Sequence, residues 1–272
     1  MTSISRLFSL LVVFLSLAAG KATAHEYYLM PNSFSVSVGQ EIDVRHLLGQ
    51  RFNGNELPYI DVWNIRSEIW MNGKSKEIRG KDGDRPALKV TPTEPGLMSI
   101  VHESNIEVLT FETWEKFQNY AKKEGLDHAL RVSEQGGKPK IGLKEAYARF
   151  AKTLVSVGDT PTGGDVETGL KIELVALAHP HQLAKGSPMP VQLLYEGQPL
   201  EGATVKVFVG VDTEFVHRIK TNTDGKALIP DNGAGPYLLN AVHIVEPKSS
   251  KAISDQAHWE SFWASLTFQR RQ

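Results

Sequence analysis

The stretch His217–Ile229, HRIKTNTDGKALI, contains the clearest fold signal in the chain. Its Asp224-Gly225 pair supplies the positive φ angles that a tight hairpin turn needs, and short strand-like segments flank it. Similar segments recur along the C-terminal part of the chain and predict seven short strands. They span residues 170–177, 190–195, 203–209, 217–221, 226–229, 236–245 and 259–268. Seven strands at this spacing are typical of an immunoglobulin-like sandwich, which we predict for residues 169–272.

Alternating apolar and polar residues also dominate the N-terminal part of the chain. This pattern predicts strands at residues 26–30, 34–38, 41–48, 97–102 and 106–111. Between Trp63 and Pro86 the alternation is weak, so we expect loops there. Together these segments predict a first β-sandwich over residues 25–111.

Between the two predicted sandwiches the apolar spacing changes. From Glu112 to about Val157, apolar residues recur three and four positions apart, which predicts amphipathic helices. The residues concerned are Trp114, Phe117, Ala121, Tyr147, Phe150, Ala151 and Leu154. Gly and Pro then mark a turn-rich linker over 158–165, so residues 112–168 form a predicted helical insert and linker. The predicted fold class is therefore mainly β, with two immunoglobulin-like β-sandwich domains and a helical insert between them.

The N-terminus and the composition indicate where the protein works. Arg6, an apolar run over 7–19 and the small residues at 22–24 predict a signal peptide over residues 1–24. We therefore expect an exported, periplasmic protein, with no membrane-spanning segment after the signal. The 30 Lys and Arg residues are balanced by 31 Asp and Glu residues, which argues against a nucleic-acid partner. Because the chain has no Cys, a metal ion would need His, carboxylate, Met or backbone ligands.

The predicted cleavage makes His25 the first residue of the mature protein. An N-terminal His offers its α-amine and its ring to the same ion, a nitrogen chelate that suits copper and also nickel. We predict that His243 and His258 complete the metal site, because the strand carrying His243 leads into the loop before His258. His179 and His181 form a weaker candidate pair, since residues two apart on an extended segment point the same way.

Two other histidines are weaker candidates for a shared site. His46 and His102 lie on predicted half-buried strands and could meet across the first sandwich, which is a weak signal on its own. The mature sequence contains no nucleophile elbow, phosphate-binding loop or His-Glu-x-x-His helix, so we predict no catalytic residues and no enzyme activity.

Several stretches resemble a family of exported bacterial proteins labelled as the periplasmic component of a nickel or cobalt uptake system (NikM-like). The matching stretches are 124–126 (EGL), 147–152 (YARFAK), 169–174 (GLKIEL), 198–204 (QPLEGAT), 238–244 (LLNAVHI) and 259–268 (WESFWASLTF). The resemblance implies a periplasmic metal-handling protein. This sequence has His258 where the family usually has an acidic residue, and a His favours copper or nickel more than a carboxylate does.

The expected function is capture of Ni(II), Co(II) or Cu(II) and transfer of the ion to a membrane importer or an outer-membrane receptor. One alternative is a copper-dependent oxidative enzyme, because an N-terminal histidine chelate also serves copper monooxygenases. Another is an adhesion or structural module in which the histidines are incidental. Metal-dependent stabilisation would separate the binding proteins from the structural module, because only a ligand that prefers the folded state stabilises it.

Overall fold

The computed structural model describes residues 26–50, 52–210 and 216–271. The predicted signal peptide over 1–24 and His25 lie outside the described residues. The described chain is mainly β. Its strands are β1 Glu26–Pro31, β2 Ser35–Val36, β3 Ile42–Gln50, β4 Asn53–Leu57, β5 Asn64–Met71, β6 Lys74–Glu77, β7 Leu88–Val90, β8 Gly96–Ser104, β9 Glu107–Phe111, β10 Leu143–Val157, β11 Ile172–Ala176, β12 Met189–Tyr195, β13 Gln198–Pro199, β14 Thr204–Val209, β15 Val216–Lys220, β16 Lys226–Ile229, β17 Gly235–Val245 and β18 Trp259–Arg270.

The strands form three sheets. The central sheet has the order β15-β14-β17-β18-β10-β8-β5-β6, with β2 and β9 also paired to β10. The first outer sheet contains β1, β3, β4 and β7, and the second outer sheet contains β11, β12, β13 and β16. The long neighbours β10 and β18 run parallel, whereas β18 and β17 run antiparallel. Strands from both predicted sandwiches and from the segment between them therefore share the central sheet.

Apolar side chains fill a layer on each face of the central sheet. Successive strand residues point to opposite faces, so Ile100 packs toward the first outer sheet while Val101 packs toward the second. In the first layer, Leu29 and Val44 meet Ile100. In the second layer, Leu193 of the second outer sheet joins Val101. Each outer sheet thus covers one face of the same central sheet.

The predicted C-terminal strands are all confirmed, as β11, β12 and β14 to β18. The hairpin predicted at Asp224-Gly225 was wrong, because this turn connects two sheets: β15 pairs with β14, and β16 pairs with β12. The five predicted N-terminal strands are also confirmed, as β1, β2, β3, β8 and β9. The expectation of loops between Trp63 and Pro86 was wrong, because β5 and β6 lie there and extend the central sheet. Polar and charged residues such as Arg66, Glu68 and Lys76 occupy much of this pair, which hides the usual apolar alternation.

The predicted helical insert is correct only in its first half. Residues 143–157 form the 15-residue strand β10, not a helix. This strand lies between two covered faces, so both of its side-chain sets are apolar along much of its length. Phe150 and Leu154 face one core layer, while Ala151 and Val155 face the other. Apolar residues on both faces produce spacings of three and four that resemble a helical pattern.

The confirmed helices precede this strand. Helix α1 spans Trp114–Glu124, α2 spans Asp127–Val132 and a π-helical turn follows at Ser133–Gly137. Thr113 caps α1 by accepting the Lys116 N–H at 3.4 Å, and Gly125 ends it with a φ of +73°. A third short helix, α3, spans Ser250–Ser254, and a 3-10 turn spans Asp61–Trp63. None of the helices in the described ranges is long and apolar enough to cross a membrane.

A buried ion-pair cluster attaches the predicted linker to the central sheet. The Lys152 ammonium of β10 lies 3.2 Å from an Asp165 carboxylate oxygen and 2.5 Å from an oxygen of Glu173. Asp165 also accepts a hydrogen bond from the Ser99 hydroxyl at 2.6 Å. The segment that contains Asp165 is therefore held against the sheet by charge pairing rather than by regular secondary structure.

Candidate metal centre

Two of the three histidines of the predicted first-choice site, His243 and His258, lie apart in the structure. His25 lies outside the described residues. His243 pairs in register with Phe262 of β18, four residues beyond His258, which corresponds to roughly 13 Å of strand length. The His243 ring instead packs on Tyr195, with the ring centres 4.5 Å apart, and burial lowers its pKa. His243 also lines an open cavity of about 380 Å³.

The environment of His258 is unsuited to metal ligation in this conformation. Its Nδ1 accepts the backbone N–H of Lys144 at 2.9 Å, so in the neutral ring the proton lies on Nε2. Burial, together with the nearby Lys138 and Lys144, lowers its pKa. To bind an ion, His258 would need to release the Lys144 hydrogen bond.

His179 and His181 do lie together, with ring centres 5.6 Å apart. The Nδ1 of His179 accepts the His181 backbone N–H at 3.1 Å, which again assigns the proton of the neutral ring to Nε2. Burial and the positive charge of Arg271 lower the pKa of His181 to about 4. The pair is close enough to share an ion, but its internal hydrogen bond occupies one of the nitrogens that would be required.

His46 and His102 form a second pair of imidazoles at the seam between two sheets. His46 belongs to β3 of the first outer sheet and His102 to β8 of the central sheet, and each side chain faces the layer between them. Their ring centres are 4.6 Å apart, and each residue is only 4% exposed. The Nε2 of His46 is buried and has no hydrogen-bond partner among the described residues.

A chain of hydrogen bonds fixes the protonation of His102. The Ser67 hydroxyl donates its one proton to Asn64 Oδ1 at 2.7 Å, so it accepts from His102 Nδ1 at 3.1 Å. Asn64 Nδ2 donates to the Tyr59 hydroxyl, which donates to Asp61. Because Nδ1 carries the proton, the lone pair of the neutral His102 ring lies on Nε2. Metal-ligating histidines are held by this kind of outer hydrogen bond.

Both rings favour the neutral form that a metal ion requires. Burial lowers the pKa of His46 to about 4. Burial also holds the pKa of His102 well below its usual range, with smaller contributions from His46 and Arg149. Near neutral pH the pair therefore offers unprotonated nitrogens, and no proton must be displaced when a metal binds.

Two further side chains border the pair. The Tyr27 ring of β1 lies with its centre 5.7 Å from that of His46 and 5.4 Å from that of His102. The Tyr27 hydroxyl is buried without a hydrogen-bond partner among the described residues, and burial raises its pKa. Arg149 of the central-sheet strand β10 also lies near Tyr27, with its guanidinium carbon 5.8 Å from the centre of the Tyr27 ring.

The separation of the two imidazoles is compatible with one shared metal ion. An ion about 2.0–2.1 Å from each ring nitrogen lies roughly 3.2 Å from each ring centre. Two such rings at angles between square and tetrahedral have centres roughly 4.5–5 Å apart, and the observed value is 4.6 Å. Within the described ranges, no cluster of three or more His, Cys, Asp or Glu residues is arranged to hold a metal ion. The pair would thus be an incomplete site without a further donor.

Comparison with known proteins gives a family and no function. Residues 22–245 match the model of a domain of unknown function, DUF4198. No curated protein matches the sequence significantly.

Comparison with solved structures gives only weak similarity. The D0-D1 domain of intimin is 12% identical over 89% of this chain and 97% of its own, with a TM-score of 0.22. Salmonella α2-macroglobulin reacted with methylamine is 10% identical over 90% of this chain and 15% of its own, with a TM-score of 0.23. A tetra-tandem repeat from the extending region of a large adhesion protein is 9% identical over 91% and 50%, with a TM-score of 0.22.

Proposed function

The chain belongs to the DUF4198 family, whose function is unknown, and we propose from its own site that it is an exported protein that binds a transition-metal ion. The main support for this proposal is the buried pair of imidazoles of His46 and His102, whose ring centres are 4.6 Å apart. One ring has an unpartnered Nε2, and the other has its lone pair assigned to Nε2 by Ser67. Two buried imidazoles whose rings are adjacent and neutral suit Cu(II), Ni(II) or Co(II) better than Mg(II) or Ca(II).

We propose that His25 supplies the missing donors. The predicted cleavage after residue 24 would give it a free α-amine beside its ring, and it precedes Tyr27 by two positions in the sequence. Tyr27 lies against both imidazoles of the pair. With two nitrogens from His25, the ion would have four nitrogen ligands, a set that copper and nickel accept readily.

In this proposal the protein captures a metal ion and transfers it. The ion would lie between two sheets, beside the Tyr27 ring. A periplasmic protein of this kind would take up Ni(II), Co(II) or Cu(II) and pass it to a membrane importer or an outer-membrane receptor.

We also infer that residues 169–272 form an immunoglobulin-like scaffold beside the site. The pairing order β11-β12-β16 faces β15-β14-β17-β18, which is the distribution of a three-stranded and a four-stranded sheet in such sandwiches. In this interpretation the central sheet extends from the scaffold through β10 to β8, the strand that carries His102.

The proposal is tested by metal-binding calorimetry on processed protein whose N-terminus is confirmed by mass spectrometry. Cu(II), Ni(II) and Co(II) are titrated separately into the wild type, His46→Gln and His102→Gln. His128→Gln is the matched control, because this histidine is exposed on α2. His243→Gln and His258→Gln test the site expected from the sequence. A protein with one extra residue before His25 tests the α-amine.

We expect tight binding of one ion that is lost in His46→Gln and His102→Gln and is weakened by the N-terminal extension. His128→Gln should bind as the wild type does, and circular dichroism should show all variants folded. If binding persists in His46→Gln and His102→Gln but is lost in His243→Gln, the metal ion is bound at His243 on β17 instead. Absence of binding to every metal would favour the structural module. Copper-dependent consumption of oxygen and reductant would instead favour an oxidative enzyme.

A further inference from the structure

Strand β17 has a free edge at its C-terminal end. Its pairing with β14 ends at Val205 and Ala241, although β17 continues to Val245 and pairs with β18 over its whole length. Among the described strands, none lies beside residues 242–245 on the β14 side. A strand edge of this kind presents main-chain N–H and C=O groups that lack ladder partners.

The hydrogen-bond pattern shows which main-chain groups face this free edge. The Gly210 N–H donates to the Pro236 carbonyl at 2.9 Å, so even-numbered residues of β17 direct their main-chain groups toward β14. Ile244 belongs to this series, and the register would place it opposite Gly202. The Gly202 N–H instead donates to the Thr221 carbonyl at 3.0 Å, which turns Gly202 away from β17. The N–H and C=O of Ile244 therefore have no strand partner on this side within the described ranges, although the residue is only 7% exposed.

The open cavity of about 380 Å³ lies along the free edge. Val242, His243 and Ile244 of β17 line it, together with residues of the turn before α2, of α2 itself and of the loop before β14. This volume is in the range of sites that hold small ligands. An extended peptide in the cavity can form with Ile244 the two hydrogen bonds of a narrow antiparallel pair, as in recognition by strand addition.

Four charged side chains also line the cavity. Asp127 and Arg131 belong to α2, whereas Glu201 and Lys220 lie on the β14 side. All four are exposed, and none forms an ion pair with a described residue. Two unpaired cations and two unpaired carboxylates favour neither a simple anion nor a simple cation. They complement a ligand that carries one charge of each sign.

We propose that this cavity binds a short free peptide in an extended conformation. The main chain of the peptide pairs with the N–H and C=O of Ile244. Its carboxylate lies toward Arg131 and Lys220. Its ammonium group lies toward Asp127 and Glu201. The cavity is separate from the proposed metal site, whose histidines do not line it, so the two proposals stand or fall independently.

The test is an NMR titration of processed, ¹⁵N-labelled, metal-free protein with three peptides. Trialanine has both charged ends, N-acetyl-trialanine amide has neither, and trialanine with a methylated central nitrogen lacks the main-chain donor. The amide signal of Ile244 reports binding at the free edge. The variants are Arg131→Gln and Lys220→Gln. Arg218→Gln is the control, because Arg218 is exposed on β15 and does not line the cavity.

Trialanine should shift the Ile244 signal in a saturable way. The blocked and the methylated peptides should each bind at least about threefold more weakly, the loss expected when exposed ion pairs or one hydrogen bond are removed. Arg131→Gln or Lys220→Gln should weaken trialanine binding by a similar factor, whereas Arg218→Gln should not, and the same spectra show whether each variant is folded.

Three results would overturn the inference. The first is the absence of a saturable shift at Ile244 with trialanine. The second is equal binding of the methylated peptide, because strand pairing requires the central N–H. The third is equal binding of the blocked peptide, which would favour an internal segment of another protein as the occupant.

Discussion

Mild acid should destabilise the metal-free protein through His46. Burial lowers the pKa of this imidazole from 6.5 to about 4. Between these values the unfolded chain binds the proton and the folded protein does not, so stability falls as the pH falls. The loss begins near pH 6.5 and is complete below about pH 4. Above pH 7 the group is neutral in both states and has no effect.

The size of this loss of stability follows from the shift in the pKa of His46. One pKa unit corresponds to about 1.4 kcal/mol, so His46 should account for about 3 kcal/mol below pH 4 and about 2 kcal/mol at pH 5. His102 acts in the same direction, because burial also lowers its pKa. Glu145 acts in the opposite direction, since burial raises its pKa to about 7. The contribution of His46 must therefore be measured as a difference between variants.

Urea unfolding of metal-free protein at pH 7.5 and pH 5, followed by tryptophan fluorescence, provides that difference. His46→Gln removes the titrating group and keeps a polar side chain of similar size. The stability lost between the two pH values should be about 2 kcal/mol smaller in His46→Gln than in the wild type. Exposed His128→Gln should match the wild type. Equal losses in all three proteins would show that His46 titrates normally in the folded state, and the argument for a neutral imidazole pair would collapse.

Three further predictions concern the surroundings of the site and the cores. Ser67→Ala removes the group that orients His102 and should lower metal affinity about 10–100-fold in calorimetry, whereas exposed Ser75→Ala should not. Glu145→Gln should raise the free energy of unfolding by about 3 kcal/mol at pH 8 and by less than about 1 kcal/mol at pH 5, because the buried carboxylate ionises only at high pH. Exposed Glu115→Gln is the control. An equal effect of Glu145→Gln at both pH values would contradict the raised pKa of Glu145. Lys152→Met leaves two buried carboxylates without their cation and should cost about 3–5 kcal/mol in urea unfolding, while exposed Lys76→Met should cost far less.

The sequence predicts much of the fold because one side of most strands faces a core. The strands on either side of Asp224-Gly225 were predicted within a few residues, since their alternation is a local signal. The hairpin between them was wrong, because the two strands join different sheets. Strand β10 was missed because its burial on both faces depends on sheets formed by distant segments. Its parallel partner β18 lies more than a hundred residues later, so no local pattern reports the pairing.

The candidate site was hard to predict for a related reason. His46 and His102 were noted as strand residues that could meet, but their contact depends on how the first outer sheet packs on the central sheet. The hydrogen-bond chain that orients His102 distinguishes this pair from ordinary core histidines. Two members of the chain, Asn64 and Ser67, belong to β5. That strand lies in the segment expected to be loops, where charged residues obscure the alternation. Once β5 is recognised as the neighbour of β8, Ser67 pairs in register with His102, and the histidine is seen to be a core residue whose ring is oriented by a hydrogen bond. The missed strand and the missed partners of His102 thus have one cause, since the polar residues that hid the strand include those that orient this imidazole.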